Sequence, residues 1–467
     1  MRNKKIYFLL VASVLMLTAC KKDLALQPTD SVDETKAFET VDDLQKGLNA
    51  AYARYSRPVS MYVSALASDE VKFGPDNGGS GQFTYRLQYG TDGTTGGDVL
   101  TGFGSFYTLI DQVNRVLPNI ETVAAVNPGD DAKRPVIKAQ LLALRAIGHF
   151  DLLNWYSKKY DAADPLGVPV MVKSELLGRP ARNTVAEVLA QIDADIQTAK
   201  SLLPDVTAGT FADLSLNKIS IAAFEARVAL YKGDWQKAID LATTVIGSGI
   251  KPLVTGDDFR GIWTDVNTNE TLFRLRYENT ATLGTLWTAT NGNVIFSPSD
   301  KINNSYDDAD IRKAAYIGNA SGKRYVNKFY TSSRGGRIVD AKAIRTAEMY
   351  LIRAEAYARL ATPNIAAGAA DLNALRAKRI TGYNDESFGS AQALIEAVLQ
   401  ERFKELFLEG FRFFDLKRQG LAMQRNSSDV DSPNWQTLPA NSFRFTLPIP
   451  QDEILANPNM VPNPGYN

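Results

Sequence analysis

A helical hairpin pattern within residues 222–246 constrains the fold more than any other feature of this chain. Alanines recur there at spacings of three or four, which places them on one face of each helix: Ala222, Ala226, Ala229, Ala238 and Ala242. Between the two runs lies Gly233, a residue type that can adopt the left-handed conformation at the end of a helix. Because small side chains allow two helices to approach closely, the segment predicts a tightly packed helix pair.

Weaker copies of this pattern occur along the chain, and the pattern resembles tetratricopeptide repeats. Residues 137–156 and 185–203 form one predicted pair, with Thr184 and Glu187 in the positions of a capping box before the second helix. Two further predicted pairs are 347–360 with 370–375, and 38–55 with 106–120. About four such hairpins would bury each other's apolar faces, so we expect a mostly α-helical, right-handed repeat stack.

The remaining stretches are less helical and predict an irregular, loop-rich ligand-binding lobe with a few short strands. Apolar and aromatic residues alternate in three places, which is typical of half-buried strands: 83–89, 273–277 and 443–449. Two insertions, near 60–104 and 255–340, are predicted to contain the loops, and loops on a rigid scaffold commonly bind ligands. Because no linker divides residues 30–467, we expect them to form one domain.

The N-terminus has the features of an exported lipoprotein. Basic residues precede a short apolar run, which is followed by Leu17-Thr18-Ala19-Cys20, a tetrapeptide similar to the lipobox of bacterial lipoproteins. We therefore predict a signal peptide at 1–19, acyl chains attached to Cys20 and a flexible tether over 20–29. Several acyl chains would hold the protein on a membrane, since each buried methylene contributes about 0.8 kcal/mol. The alternative is a secreted protein with a stray thiol.

The composition argues against several classes of function. Lys plus Arg and Asp plus Glu number 52 each, so no charge excess favours nucleic acid or anionic lipid. Cys20 is the only cysteine and His149 the only histidine, which argues against disulfides, thiol chemistry and a histidine-dependent metal site. His149 lies on an otherwise apolar helix, where we predict a hydrogen-bonded core or groove residue and not a metal ligand. We expect neither a cofactor nor a metal.

The C-terminal region 394–467 contains the most specific motifs. These are LIEAVLQERFKELFLEGFRFFDLKRQG at 394–420, Leu447-Pro448-Ile449-Pro450 and Asn463-Pro464-Gly465-Tyr466. Upstream motifs are AEMYLIRAEA at 347–356, Ser68-Asp69 and Leu144-Arg145-Ala146. Together with the lipobox, their order and spacing resemble the SusD/RagB family of outer-membrane nutrient-uptake lipoproteins. The resemblance covers essentially the whole mature chain.

The resemblance implies a helical repeat scaffold with a ligand-binding lobe and no catalytic activity. Members of this family bind oligosaccharides, or in some branches peptides, at the cell surface and pass them to a SusC-like TonB-dependent barrel in the outer membrane. We therefore expect an outward-facing, lipid-anchored glycan-binding protein, with a peptide-binding protein and an extracellular glycosidase as the alternatives. Phe103 and Phe413 stand where the family commonly has tryptophan, so a relative's specificity does not transfer directly.

Two acidic clusters resemble catalytic or calcium-binding groups, and we predict ion pairs in both. Glu401 and Glu405 lie four residues apart on one predicted helix that carries further charges: Arg402, Glu409 and Arg412. Carboxylates beside arginines stay ionised, whereas the general acid of a glycosidase needs a raised pKa. The run 307–310 lacks the glycine and distal glutamate of a calcium-binding loop, and Arg312 lies close enough in sequence to pair with Asp310.

Aromatic residues within the insertions are the candidate ligand contacts. Sugars present apolar C–H faces ringed by hydroxyls, so flat side chains flanked by Asn and Asp suit them. Trp287, which lies in a polar run, is the predicted main stacking residue, and Phe73 is the second. The other predicted ligand-binding residues are Asp76, Asn77, Tyr306 and Asn291.

Overall fold

The computed structural model describes residues 37–158, 160–175, 177–279 and 283–466. The predicted signal peptide 1–19, the acylated Cys20 and the tether 20–29 lie outside the described residues. Within them the helices are α1 (Val41–Arg54), α2 (Arg57–Leu66), α3 (Gln82–Tyr85), α4 (Gly97–Val116), α5 (Asp130–Tyr156), α6 (Val185–Leu202), α7 (Lys218–Lys232), α8 (Trp235–Gly247), α9 (Gly256–Trp263), α10 (Asp300–Asn303), α11 (Ile311–Tyr316), α12 (Thr346–Arg359), α13 (Ile365–Ala377), α14 (Ala391–Glu405), α15 (Arg412–Gln419) and α16 (Gln451–Ala456). None of these helices is both long and apolar enough to cross a membrane.

The strands are short and pair only in twos within the part of the chain described. They are β1 (Val71–Phe73), β2 (Thr271–Leu275), β3 (Phe296–Pro298), β4 (Ile317–Ala320), β5 (Lys323–Val326), β6 (Thr331–Ser332), β7 (Gly335–Gly336), β8 (Ala341–Arg345), β9 (Met423–Gln424) and β10 (Thr437–Leu438). All pairs are antiparallel: β1 with β3, β2 with β8, β4 with β5, β6 with β7, and β9 with β10.

The long helices form four hairpins that stack side by side. α1 packs against α4, α5 against α6, α7 against α8, and α12 against α13. Neighbouring hairpins meet through α4 and α5, through α6 and α7, and through α8 and α12. We call these four hairpins the helical scaffold. They correspond to the four predicted pairs, so the expected mostly α-helical fold with tetratricopeptide-like hairpins is confirmed.

Local sequence signals explain where two of these helices begin and end. Gly233 adopts a φ of 78° after α7, and its left-handed conformation turns the chain directly into α8. Before α6, the Glu187 carboxylate accepts a hydrogen bond from the Thr184 backbone N–H at 2.8 Å. The Thr184 hydroxyl in turn accepts one from the Glu187 N–H at 3.2 Å. The predicted turn and capping box are both confirmed.

Two long connections interrupt the scaffold and contain most of the strands. We call their segments 67–96 and 264–340 the lobe. The pairing of β1 with β3 joins the two segments to each other. The second connection leaves the scaffold after α8 and returns as α12, which packs directly on α8. The second segment of the lobe is therefore inserted between two hairpins that remain in contact, and the first segment is inserted within the first hairpin.

Only one of the three alternating segments forms a strand. The prediction at 273–277 is confirmed for 273–275, where β2 pairs with β8, and Tyr277 lies beyond the strand. It is wrong at 83–89, where α3 forms, and at 443–449, where the regular structure is one 3-10 turn. Tyr85 and Tyr89 are buried and donate hydroxyl hydrogen bonds to backbone carbonyls of the C-terminal region. These segments thus pack through aromatic side chains and do not pair as strands.

A buried ionic cluster joins the lobe to the C-terminal helices. Glu405, at the end of α14, accepts hydrogen bonds from Arg345, Arg379 and Arg312 at 2.9–3.1 Å. Arg379 also donates to Glu270, just before β2, at 2.7 Å. Burial opposes ionisation of Glu405, but the three guanidinium groups hold its pKa well below the usual range. The predicted structural ion pairing is confirmed, but Glu409 and Arg412 lie beyond the end of α14 and not on the same helix as expected.

The two other polar groups that we singled out are also structural. Asp310 accepts hydrogen bonds from the Arg312 guanidinium at 2.8 and 2.9 Å, which confirms the predicted pair. His149 is fully buried; its Nδ1 donates to the Arg145 carbonyl and its Nε2 accepts from the Met171 N–H, each at 3.1 Å. Burial lowers the pKa of His149 to about 3, so the ring is neutral in the core, as predicted.

Candidate functional site

A cleft of about 490 Å³ lies where the helical scaffold meets the lobe. Its walls come from the chain around α2, from the first turns of α4 and from the segment that follows β2. We call it the tyrosine cleft. The lining residues are Ala53, Tyr55, Ser56, Pro58, Val59, Tyr62, Val63, Asp98, Thr101, Tyr277 and Leu286. Three aromatic rings and one carboxylate therefore converge on an open, mostly apolar surface.

Packing behind the cleft fixes the position of its aromatic rings. Tyr62 is half-buried and lies edge-on against Phe296, with 5.7 Å between the ring centroids. Tyr55 is buried and lies parallel to Phe273 of β2 at 6.5 Å. Tyr277 follows β2 and remains half-buried at the other side of the opening. Because the supporting residues are in the core, these rings lose little conformational freedom when a ligand binds.

Asp98 supplies the polar group of the cleft. Its carboxylate accepts a hydrogen bond from the Thr84 hydroxyl at 3.0 Å, and burial raises its pKa. Within the described chain, no lysine or arginine lies within 4 Å of it, and it is the only charged residue lining the cleft. Thr101, one turn further along α4, adds a hydroxyl. The cleft thus offers hydrogen-bonding oxygens beside aromatic rings, without any positive charge.

Trp287, the predicted main stacking residue, is fully buried. Its ring lies behind Tyr62 at a centroid distance of 6.1 Å and against Phe296 at 6.4 Å. Neither face of the indole is open to a sugar in this structure, so the placement does not fit a stacking role. The exposed turn of this polar run lies at 290–293, whereas Thr288 is buried and the indole fills the core beneath Tyr62.

The structure brings four other predicted residues together on the outer surface of the lobe. Phe73 is half-buried and packs on Tyr85 at 4.2 Å. Asp76 accepts a hydrogen bond from the Val294 N–H at 2.9 Å and pairs with Lys323 at 2.8 Å. The predicted Asn77 and Asn291 lie on the same two connections, and Asn77 donates to the Ile295 carbonyl at 3.0 Å. Most of these polar atoms hold the loops together; Asn291 is exposed.

Tyr306 lies apart from both surfaces. It is 3% exposed, its hydroxyl donates to the Lys404 carbonyl at 2.7 Å, and its ring lies near the Arg312 guanidinium. The residue belongs to the buried ionic cluster, so its placement does not fit ligand contact. An aromatic residue in a loop-rich segment was expected at the surface, but this loop folds back over α14.

Sequence reasoning missed Tyr62, Tyr277 and Asp98 as site residues. Tyr62 lies within a helix and Tyr277 ends an alternating pattern, so each has the appearance of a core residue in the sequence. Their convergence depends on how α2, α4 and the segment after β2 meet in space. The one available signal was that each of them directly borders a predicted loop-rich insertion or lies within it.

Comparisons with known proteins agree with this architecture. A family model described as the SusD family matches residues 266–466, and one described as starch-binding and associating with the outer membrane matches residues 26–230. SusD-like protein P2 of Formosa agariphila is 26% identical over 535 aligned residues, which cover 100% of both chains.

Solved structures show the same fold. A SusD superfamily protein from Bacteroides thetaiotaomicron is 26% identical, with a TM-score of 0.79 over 91% of this chain and 100% of that one. A laminarin-binding SusD-like protein is 20% identical, with a TM-score of 0.71 over 92% of this chain and 100% of that one. The class that these comparisons define is the one that the second family model describes, starch-binding proteins that associate with the outer membrane. Within this class, the chain belongs to the SusD family, as its motifs predicted.

Proposed function

We propose that this protein binds neutral oligosaccharides in the tyrosine cleft and passes them to a SusC-like TonB-dependent barrel in the outer membrane. The observation that carries the proposal is the convergence of Tyr62, Tyr277 and the unpaired Asp98 on one open surface. Aromatic rings pack on the C–H faces of a sugar, and a carboxylate accepts hydrogen bonds from its hydroxyls. An open cleft of this kind favours moderate affinity, which suits a protein that must release its ligand.

The cleft supports binding without catalysis. Glycoside hydrolysis ordinarily requires two carboxylates that flank the scissile bond. Asp98 is the only carboxylate lining the cleft in the described part of the chain. The paired glutamates of α14 are buried in the ionic cluster, where their arginine partners keep them ionised. We therefore propose a binding protein that is not an enzyme.

Calorimetric titration of the purified protein with maltooligosaccharides and laminarin oligosaccharides tests the binding site. We expect saturable binding that Tyr62→Ala weakens about tenfold, because the ring face is lost. Tyr357→Ala, at a half-buried tyrosine of α12 outside the cleft, is the matched control and should bind as the wild type does. Circular dichroism of both variants verifies folding. Absence of saturable glycan binding, or equal losses in both variants, would contradict the proposal.

The alternative ligand is a peptide, and the same titration with a peptide panel distinguishes it. Saturable binding of peptides, lost in Tyr62→Ala and accompanied by no response to any glycan, would replace the sugar by a peptide at the same cleft. The family resemblance allows either a glycan or a peptide as the ligand. The carboxylate and hydroxyl groups that line the cleft favour the glycan.

We also propose that acyl chains on Cys20 anchor the protein on the outer face of the outer membrane. The lipobox supports the acyl anchor. The family model that is described as associating with the outer membrane supports the choice of membrane. Cys20→Ala should release the protein from the membrane fraction, and protease added to intact cells should degrade the wild type. Co-purification with a barrel protein after detergent extraction tests the partner. A protein that resists protease on intact cells would contradict the outward orientation.

A further inference from the structure

A second groove, of about 690 Å³, lies on the helical scaffold and shares no lining residue with the tyrosine cleft. It forms where the turn between α7 and α8 meets the ends of α12 and α15 and the segment that follows α5. We call it the cationic groove. Its lining includes five cationic side chains and one anionic side chain, although the chain as a whole has a net charge of zero.

Two of the five cations have no carboxylate partner. Lys232 pairs with Asp193, and the two arginines of the groove share Glu355. In contrast, Lys158 and Lys417 lie within 4 Å of no carboxylate in the described residues. Neither side chain therefore forms an ion pair with a described residue, although Asp164 favours the charged form of Lys417 from a longer distance. An anion in the groove could pair with both ammonium groups.

Lys417 is held in place by the backbone. Its ammonium group donates to the Asn154 carbonyl at 2.6 Å and to the Ser157 carbonyl at 2.5 Å. An ammonium group has three N–H donors, so one remains after these two hydrogen bonds. Burial lowers the pKa of Lys417 to about 7, and an anionic ligand would raise it again. Lys158 is exposed at the rim.

The groove also contains aromatic surface. Trp235, the first residue of α8, is half-buried, and its ring packs across Gly233, where a Cβ atom would lie only 3.3 Å from it. The Arg359 guanidinium lies 5.4 Å from the centre of the indole. Tyr160 lines the groove as well, and its buried hydroxyl makes no hydrogen bond to the described residues. Aromatic rings and two ammonium groups without a carboxylate partner within 4 Å thus line the same groove.

We propose that the cationic groove binds an acidic saccharide unit, one that carries a carboxylate or sulfate group. The indole packs on the sugar ring, while Lys158 and Lys417 pair with its charged group. This inference rests on the proposed glycan-binding function and extends it, because the tyrosine cleft offers no cation to such a unit. A long glycan with charged and uncharged units would then contact two separate surfaces, which increases its overall affinity.

Titration of the purified protein with two acidic oligosaccharides tests this proposal. Oligogalacturonate carries carboxylates, a carrageenan oligosaccharide carries sulfates, and inorganic phosphate serves as a free anion. We expect at least one acidic oligosaccharide to bind, more weakly as salt is added, because salt screens charge pairs. Lys158→Glu and Trp235→Ala should each weaken that binding about fivefold. Lys378→Glu makes the same change of charge at an exposed lysine outside the groove and should have no effect.

The outcomes separate this proposal from the function proposed for the cleft. Acidic binding that is reduced by the groove variants and unchanged in Tyr62→Ala supports the cationic groove. The groove proposal is overturned if neither acidic oligosaccharide binds, if both groove variants bind like the wild type, or if phosphate alone binds as tightly as the oligosaccharides. In each of those cases the function proposed for the cleft would still hold, provided that neutral glycans bind the wild type and that Tyr62→Ala loses this binding. Absence of neutral-glycan binding in the wild type would overturn only the function proposed for the cleft.

Discussion

The contacts within the helical scaffold differ from the contacts that join the lobe to it. In the scaffold, α7 packs on α8 directly after the Gly233 turn, and small apolar residues such as Ala226 and Ala242 are buried in the two helices. In the lobe, single charged groups reach across the molecule, as Glu270 does to Arg379. Contacts between helices close in sequence therefore shape the scaffold, whereas contacts between distant segments, both ionic and aromatic, position the lobe upon it.

This contrast accounts for the position of both candidate sites. The tyrosine cleft lies at the boundary between scaffold and lobe, and the cationic groove lies at helix ends of the scaffold. Neither site is inside a repeat interface, where packing occupies the side chains. Rigid elements meet at these edges and leave aromatic rings only partly covered, which is the arrangement that a ligand site requires.

Removing Glu405 is the most severe test of the polar contacts that hold the lobe. Glu405→Ala leaves Arg345, Arg379 and Arg312 without their shared carboxylate in a buried cluster. Breaking a buried ion pair by removing one partner typically costs about 3–5 kcal/mol, because the remaining charge is uncompensated. We expect the free energy of unfolding, measured by urea denaturation, to fall by that amount.

The control for this variant lies on the same helix. Glu396 is exposed on α14 and is hydrogen-bonded only to Gln392 in the described structure. Glu396→Ala should change the free energy of unfolding by about 0.5 kcal/mol or less. Equal effects of the two variants would show that the ionic cluster does not hold the lobe.

Replacing one buried alanine by leucine tests the apolar packing within the scaffold. Ala226 on α7 is fully buried in the hairpin interface. Extra methylenes in a packed core cost about 1–3 kcal/mol, so Ala226→Leu should destabilise the protein by that amount in urea denaturation. Ala370→Leu, at an exposed position of α13, is the matched control and should be nearly neutral. A neutral Ala226→Leu would mean that the hairpins are loosely packed.

The sequence predicts the scaffold but not the sites, because the scaffold depends on local contacts and the sites depend on contacts between distant segments. Helical spacing, the Gly233 turn and the Thr184 cap depend on neighbours a few residues away. The placement of Tyr62 beside Tyr277 depends on contacts between segments far apart in the chain, which periodicity does not report. The strand prediction for the alternating aromatics at 83–89 is wrong, because these residues pack against the C-terminal region and have no strand partner.

Glu70, which lies just before β1 in the lobe, gives this region a contribution to stability that depends on pH. Its carboxyl is fully buried and accepts a hydrogen bond from the Leu408 N–H at 2.7 Å. Burial raises the pKa of Glu70 to about 8 from an ordinary value of 4.5. Between these values the folded protein holds a proton that the unfolded chain has released, so this group's contribution to stability falls as the pH rises towards 8.

Glu70→Gln keeps the hydrogen-bond acceptor and removes the titration. Relative to the wild type, the variant should gain about 1.4 kcal/mol of unfolding free energy between pH 6 and pH 7, as measured by urea denaturation at each pH. Glu396→Gln, at the exposed position on α14, should show no such gain. Parallel pH profiles for Glu70→Gln and the wild type would show that Glu70 is ionised in the folded protein.

The smallest predicted effect concerns the Gly233 turn, where the scaffold and the cationic groove meet. Gly233→Ala places a Cβ atom at a φ of 78° and 3.3 Å from the Trp235 ring. The left-handed conformation alone costs about 1 kcal/mol for alanine, so thermal or urea unfolding should show a loss of that size. Because the ring must shift, binding of an acidic oligosaccharide should weaken as well. Gly247→Ala, at the last residue of α8 and with no atom near the added Cβ, should instead stabilise the protein by up to about 0.5 kcal/mol. The same substitution would then have opposite signs at the two ends of one helix, and equal signs would refute the role of the turn.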